Sequence, residues 1–320
     1  MTTPLAYLNG RFLPFTEAAL PLHDAGFVSG ATIVDNARTF RHKLFRWPDH
    51  LARFRRDCAA CFVPLNATDE YLTATAEELV AHNAALLPPN GELQLVTFAT
   101  PGPLGFYSGE VNNGPPTIGM VTYPLPFARY RRFFTEGAAL AVAGTQSSDP
   151  DDLLPPRIKH RSRLFWHIAD KTLNDPTSRY YSPGAVPVVL DRVGTADTAI
   201  ACVLAVVDDT VIYPLPDRVQ DSISAKVVAD LCATIGLKHR TESLDFRQIC
   251  GPNEGNRKSA IALDPSELLL AGTGFCVAGV RRFACSEHVR DYPRPGPVFS
   301  RLLTAWSDLV GVDIAKQFTG

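Results

Sequence analysis

What most constrains this chain is that its strand-like segments arrive in groups, not singly between helices. Ile33–Phe40 and 44–46 flank an Arg41-His42-Lys43 turn, Leu93, Leu95 and Thr97 alternate, and further strand patterns fall at 117–122, 138–143, 186–191, 199–207, 211–213 and 267–271. Helical spacing is confined to fewer places. Leu51, Phe54, Cys58, Cys61, Phe62 and Leu65 share one face, and Thr68 is placed to cap a helix that opens with Asp69 and Glu70. Later helices are expected over 163–173, from Asp221 or Ser222 through Ile223, Val227, Leu231 and Ile235 to a stop at Gly236, and over Leu302, Trp306 and Leu309. Without strict strand–helix–strand alternation the chain reads as α+β, not as a doubly wound parallel sheet. Prolines gather at junctions, and the segment 123–130 is the preferred linker. This gives a smaller N-terminal α+β domain, 1–126, and a larger C-terminal domain, 127–320.

Composition narrows the function. Of 320 residues 46% are hydrophobic, enough for a sizeable core and too many for a disordered chain. Lys and Arg total 31 against 33 Asp and Glu, so no basic field is present to hold nucleic acid or an anionic membrane. The longest apolar run, 199–207, is far short of the ~20 residues that span a bilayer. The opening residues lack the basic and apolar regions of a signal peptide. Seven scattered cysteines, an odd number, argue against a disulfide framework and for a reducing, cytoplasmic setting. Cys58 and Cys61 spell CxxC, but no second pair or zinc-spaced histidine accompanies them, and their apolar helix face points to core packing. No metal site is expected.

Three segments carry groups suited to a phosphate ester. Arg53 lies on a helix shortly after a strand, and its guanidinium fork matches phosphate oxygens. Ser222-Ile223-Ser224 opens a helix whose first N–H groups attract anions. Gly272-Thr273-Gly274 ends a strand with N–H groups and a hydroxyl. Taken singly, each is better explained by capping, turn chemistry or a solvated arginine. Lys159 is crowded by Arg157, Arg161 and Arg163, which lowers a lysine's proton affinity and favours the uncharged amine that Schiff-base chemistry requires. A solvated basic face explains the same pattern.

The order of short motifs adds to this. Asn9-Gly10, then Asp24-Ala25-Gly26 with Gly30, Asp35-Asn36-Ala37-Arg38 on a strand, and His50 with Arg53 on a helix come first. Leu190-Asp191, Asp197-Thr198, Tyr213-Pro214, Ile223-Ser224 and Glu267 to Thr273 follow. The ordered set resembles the fold-type IV pyridoxal-phosphate enzymes, the class IV aminotransferase family of branched-chain and D-amino-acid aminotransferases and aminodeoxychorismate lyases. That resemblance implies a two-domain fold, with a smaller N-terminal α/β domain and a larger, β-barrel-like C-terminal domain with helices. It also implies pyridoxal 5'-phosphate as cofactor and a homodimer. By the same likeness Lys159 forms the internal aldimine and shuttles the substrate's α proton, Arg53, Ile223, Ser224, Gly272 and Thr273 hold the phosphate, and Asp197 pairs with the pyridine nitrogen where the family usually has Glu. The segment 97–102 lacks the arginine turn that many members place at that strand end, which leaves Arg38 and Arg163 to bind a substrate carboxylate. The implied reaction is amino transfer between an amino acid and a 2-oxo acid. The alternatives are a lyase releasing pyruvate from 4-amino-4-deoxychorismate, or a catalytically silent homologue binding a phosphorylated ligand. The polar stretch 251–262 is an insertion before the Glu267 strand and is expected to be a surface loop.

Overall fold

A computed structural model describes residues 3–146, 149–250, 264–285 and 288–320; the expected loop at 251–262 lies outside them. Packing divides the chain into two units, Met1–Leu125 with Lys159–Arg163, and Pro126–Ile158 with Leu164–Gly320. From sequence Lys159 falls in the larger domain; by packing, its segment goes with the first unit, because its main chain pairs with a strand there.

The first unit contains β1 (Leu5–Leu8), β2 (Arg11–Pro14), the single turn α1 (Ala25–Val28), β3 (Ile33–Phe40), β4 (Lys43–Leu44), α2 (Trp47–Ala60), α3 (Asp69–Ala84), β5 (Leu93–Thr100) and β6 (Thr117–Pro124). Its antiparallel sheet runs in the order β2-β1-β6-β5-β3-β4. Helix α2 packs on β3, and α3 packs on β1, β4, β5 and β6. The buried side of α2 carries Trp47, His50, Leu51, Arg53, Phe54, Asp57 and Cys58, at three- and four-residue steps. The expected apolar face does not continue to Leu65. Cys61 ends the helix, Phe62 turns left-handed (φ 54°), and the Val63 N–H returns to the Cys58 carbonyl at 2.9 Å. Phe62 is thereby 91% exposed. Thr68 caps α3 as expected, accepting the Tyr71 N–H at 3.2 Å.

Two buried polar residues hold this unit in register. Asn83 of α3 accepts the Leu5 N–H and donates to the Leu5 carbonyl and the Thr122 hydroxyl, each at 2.8 Å. The β3–β4 turn places both Arg41 and His42 at positive φ, as tight hairpins require. Glu92 accepts the Arg41 N–H at 2.6 Å, the His42 N–H at 3.2 Å and the Thr39 hydroxyl at 2.5 Å, so the turn's amides are satisfied by a side chain just ahead of β5.

The second unit contains α4 (Phe127–Thr135), β7 (Ala138–Thr145), α5 (Leu164–Asn174), β8 (Val186–Leu190), β9 (Ala196–Thr198), β10 (Cys202–Val207), β11 (Thr210–Tyr213), α6 (Ile223–Thr234), β12 (Lys238–Thr241), β13 (Glu267–Gly272), β14 (Cys276–Cys285), β15 (His288–Asp291), α7 (Pro297–Val310) and α8 (Ile314–Thr319). The linker expected over 123–130 is shorter than its proline content suggests: β6 runs to Pro124 and α4 starts at Phe127, which leaves Leu125 and Pro126. In the sheet, β9 pairs with β8 on one side and, through Asp197 opposite Cys202, with β10 on the other. Strands β10, β13, β14, β7, β8 and β9 therefore close on themselves, the barrel-like core that the resemblance implied. On these strands Leu140, Val188, Leu204, Leu269 and Val277 are fully buried. Among the described residues no helix is long and apolar enough to cross a membrane.

Glu267, read from sequence only as the first residue of a strand motif, is a helix cap. Its carboxylate accepts the Val298 and Phe299 N–H groups at 2.8 and 3.0 Å, at the start of α7, where Gly296 has no side chain to do so. A Cβ on Gly296 would stand 1.9 Å from a Glu267 oxygen, which explains the glycine. Replacing Glu267 with Ala should leave two buried donors without acceptors and cost about 2–4 kcal/mol of stability, whereas Glu267→Gln, which keeps one acceptor oxygen, should lose about half of that. Thermal and urea unfolding of the two variants against the parent chain measures both.

Candidate active site

Strand β3 and helix α2 build the first part of the site. Alternation along β3 points Asp35 at α2, where residues 50 and 53 lie one turn apart. Asp35 accepts the His50 Nδ1–H at 2.7 Å, and the Arg53 fork at 2.7 Å from Nε and 2.9 Å from Nη2. All three are nearly inaccessible, at 1%, 2% and 4% exposure. Burial alone would raise the Asp35 pKa, but the Arg53 and His50 partners outweigh it and hold the carboxyl well below the usual carboxylate range. Burial, helped by the nearby Arg53 and Lys159 charges, lowers the His50 pKa against the pull of Asp35, so the ring is neutral near pH 7. The result is a guanidinium fixed in its plane, its charge balanced by one carboxylate.

Lys159 is brought to this cluster by its main chain. Its N–H donates to Asp57 Oδ2 at 2.9 Å, and its carbonyl accepts the Val34 N–H at 3.1 Å. His160 bridges Ile33, the Arg161 N–H reaches the Thr32 carbonyl at 2.9 Å, and the Ser162 hydroxyl donates to the Gly30 carbonyl at 2.9 Å. Gly30 is required here: its φ is +64°, and a Cβ would sit 2.9 Å from the Ser162 Oγ. The segment thus lies antiparallel along the beginning of β3. Burial first, then the Arg53 charge, with Arg163 and Arg161 contributing and Asp35 opposing, brings the Lys159 amine from the ordinary lysine range down to about 7. An amine with that affinity is largely uncharged just above neutral pH, which suits it to act as a nucleophile or base.

The other first-unit residues singled out from sequence are placed differently. Arg38 is on β3, but three positions from Asp35 and therefore on the opposite face of the strand. It is buried, with Nε donating to the Thr39 carbonyl at 3.2 Å and the guanidinium 3.9 Å from the Phe40 ring centre. Arg163 ends the Lys159 segment, half-buried, near enough for its charge to act on the amine. Cys58 is a core residue: burial pushes its thiol up to about 12, so no thiolate is offered near neutral pH.

The second unit gathers its own set. Asp197 lies opposite Cys202, and Cys202 in turn lies opposite Ala271, so one row across β9, β10 and β13 joins Asp197 to the residue before Gly272. Asp197 Oδ1 accepts the Thr198 N–H at 2.8 Å. The Gly272 backbone runs so close to the Ile200 carbonyl that a Cβ would stand 2.7 Å from it. Thr273 is half-buried in the turn that follows, closed by the Phe275 N–H on the Gly272 carbonyl at 3.2 Å. Helix α6, which packs on β13, is capped by Ser222, whose hydroxyl accepts the Ala225 N–H at 3.2 Å. Ile223 and Ser224 occupy its first turn, whose N–H groups have no acceptor within the helix.

The residue absent from the sequence reading is Asp57. A carboxylate four residues after Arg53, with Arg55 and Arg56 between them, was a usable signal: it shares Arg53's helix face, and an acid there must find donors.

Solved structures share this fold at low sequence identity. The branched-chain amino acid aminotransferase of Escherichia coli matches with a TM-score of 0.76 and 14% identity, over 96% of this chain and 95% of that one. The branched-chain amino acid aminotransferase of T.th., solved as a complex with N-(5'-phosphopyridoxyl)-L-glutamate, matches at 0.74 and 16% identity, over 97% and 95%. By sequence, D-alanine aminotransferase of Staphylococcus aureus (strain N315) is 34% identical over 77 residues, 24% of this chain and 27% of that protein. The chain thus matches about a quarter of the length of that curated relative. The family description Amino-transferase class IV covers residues 32–283, most of the chain. With that span, and with the fold above, the chain belongs to the class IV aminotransferases, a family of pyridoxal-phosphate enzymes.

Proposed function

We propose that this chain is an aminotransferase that moves an amino group between an amino acid and a 2-oxo acid with pyridoxal 5'-phosphate, and that Lys159 is the amine that holds the cofactor. The observation that carries the reading is the state of Lys159: its amine is brought to about 7 by burial and by Arg53, on a main chain tied to both β3 and α2. The similar proteins named above are aminotransferases, which supports transfer over pyruvate elimination.

The residues present fit the cofactor. Arg53, held by Asp35, is suited to a phosphate dianion. In the second unit the first-turn amides of Ile223 and Ser224 and the Gly272-Thr273 turn are suited to phosphate oxygens, and Asp197 to a protonated ring nitrogen. Bound, the cofactor supplies an aldehyde and an electron-withdrawing ring that stabilises negative charge at the substrate's α carbon. The protein supplies the rest. Lys159 Nζ takes and returns the α proton, which it can do near neutral pH only because its environment disfavours the ammonium form. Arg53 keeps a fixed plane because Asp35 engages two of its nitrogens. For the substrate carboxylate, Arg163, whose charge reaches the Lys159 amine, is the first proposed cation, and Arg38, on the opposite face of β3 from Asp35, is the second.

Five measurements test this. The purified chain should absorb in the visible after incubation with pyridoxal phosphate, and borohydride should fix the cofactor to the peptide containing Lys159. An amino donor should then convert the spectrum, with the starting form restored only when a 2-oxo acid completes the cycle; pyruvate release without an acceptor would indicate the lyase, and a bound cofactor with no α-proton exchange for any amino acid would indicate a silent homologue. Lys159→Arg should lower turnover by about 10²–10⁴-fold or more. In the cofactor-free protein, acylation of Lys159 should rise with pH through a midpoint near 7, since only the uncharged amine reacts; a midpoint near that of an exposed lysine would overturn the assignment. Arg38→Ala and Arg163→Ala separate the carboxylate candidates. The true ligand should raise KM about 10–100-fold, the worth of a charge-assisted hydrogen bond, and leave the cofactor absorbance in place. Loss of the absorbance in Arg38→Ala would mark that residue as structural.

A further inference from the structure

Asp57 has no accessible surface and lies four residues after Arg53 on α2. Its carboxylate divides its acceptors. Oδ1 receives Arg56, at 2.7 Å from Nη2 and 3.0 Å from Nε, while Oδ2 receives the Lys159 N–H at 2.9 Å. Arg56 is 40% exposed in its side chain and can exchange this partner for water, whereas the Lys159 N–H is a main-chain donor 102 positions away in sequence.

The contact closes a ring. From Lys159 it runs through Asp57 along α2 to Arg53, across to Asp35, and back along β3 to Val34, whose N–H donates to the Lys159 carbonyl. The strand side of this ring holds the lysine carbonyl, and the helix side, through Asp57, holds its N–H. We propose that Asp57 is a positioning residue, which sets the place of Lys159 against Arg53 by holding the lysine main chain to the same helix that carries the arginine. The proposal rests on the pyridoxal-phosphate reading for the amine's task, but its geometry does not depend on that reading.

The variants are Asp57→Ala, which removes the acceptor, and Asp57→Asn, whose amide oxygen can still accept the buried N–H while Arg56 turns to solvent. Asp57→Leu replaces the first if it fails to fold, since it fills the volume without an acceptor. Three quantities are read on the full chain: hydrogen exchange at the Lys159 amide, the pH midpoint of Lys159 acetylation in cofactor-free protein with exposed Lys43 and Lys238 as internal references, and kcat and KM of the loaded enzyme. Without the acceptor, amide exchange should accelerate at least ~10-fold, and the acetylation midpoint should rise by about one unit or more toward the ordinary lysine value near 10.4. Turnover should fall ~10–100-fold with KM changed less than ~3-fold, the pattern of a mispositioned catalytic group. Asp57→Asn should restore all three. A lower melting temperature with an unmoved midpoint and unmoved kcat would overturn the proposal and leave Asp57 as a packing residue. So would an Asn variant as defective as the Ala variant. If the parent chain binds no cofactor the functional reading fails, but exchange and acetylation still decide the geometry of Asp57.

Discussion

The first unit is organised around one buried charge, the Arg53 guanidinium against Asp35. Placing both ions out of water is not a route to stability, because a well-packed apolar pair does as well; losing one partner, however, costs about 3–5 kcal/mol. The pair therefore makes sense as a geometric device. Asp35 fixes the plane of Arg53, His50 fills the remaining side of the carboxylate with a neutral ring, and the residual positive field falls on Lys159. The Arg53 charge thus adds to burial in lowering the amine's proton affinity, so the arginine that Asp35 orients also acts on the lysine.

Much of this was legible in the sequence where local chemistry decides the outcome. Thr68 and Ser222 cap helices because their hydroxyls compete for first-turn amides, and β5, β8 and β10 follow from alternation or unbroken apolar runs. Crowding of cations around Lys159 foretold its lowered affinity, although burial turns out to be the larger cause. Illegible parts depend on distant partners. The helix through Phe62 looked continuous because periodicity records apolar faces and not the left-handed turn that ends α2. Proline density hid α4, since prolines just before a helix are compatible with its first turn. Glu267 gave no hint that it serves a helix about 30 residues further along, and the spacing of Asp57 from Arg53 marks an acid in need of donors without naming Lys159 as one, because neither long-range contact has a local pattern.

The similarity to branched-chain aminotransferases at 14–16% identity fits this division. A closed ring of strands and a two-helix cover over an antiparallel sheet need hydrophobic positions at the right period, not particular residues. Side-chain identity matters where donors and acceptors must meet in the dry interior, as where Glu92 closes the β3–β4 turn and Glu267 opens α7.

The excursion of Lys159–Arg163 into the first unit has a consequence for how the protein can be divided. The backbone passes between units at 125–126, at 158–159 and again at 163–164, so neither compact body corresponds to an uninterrupted stretch of gene. A truncation after Leu125 would retain Arg53 and Asp35 yet lack Lys159, while the complementary fragment would carry Lys159 on a peptide stripped of its docking strand. The Arg53, Asp35 and Lys159 arrangement is therefore a property of the whole polypeptide, and domain-exchange engineering would have to transplant the Lys159–Arg163 incursion together with β3 and α2.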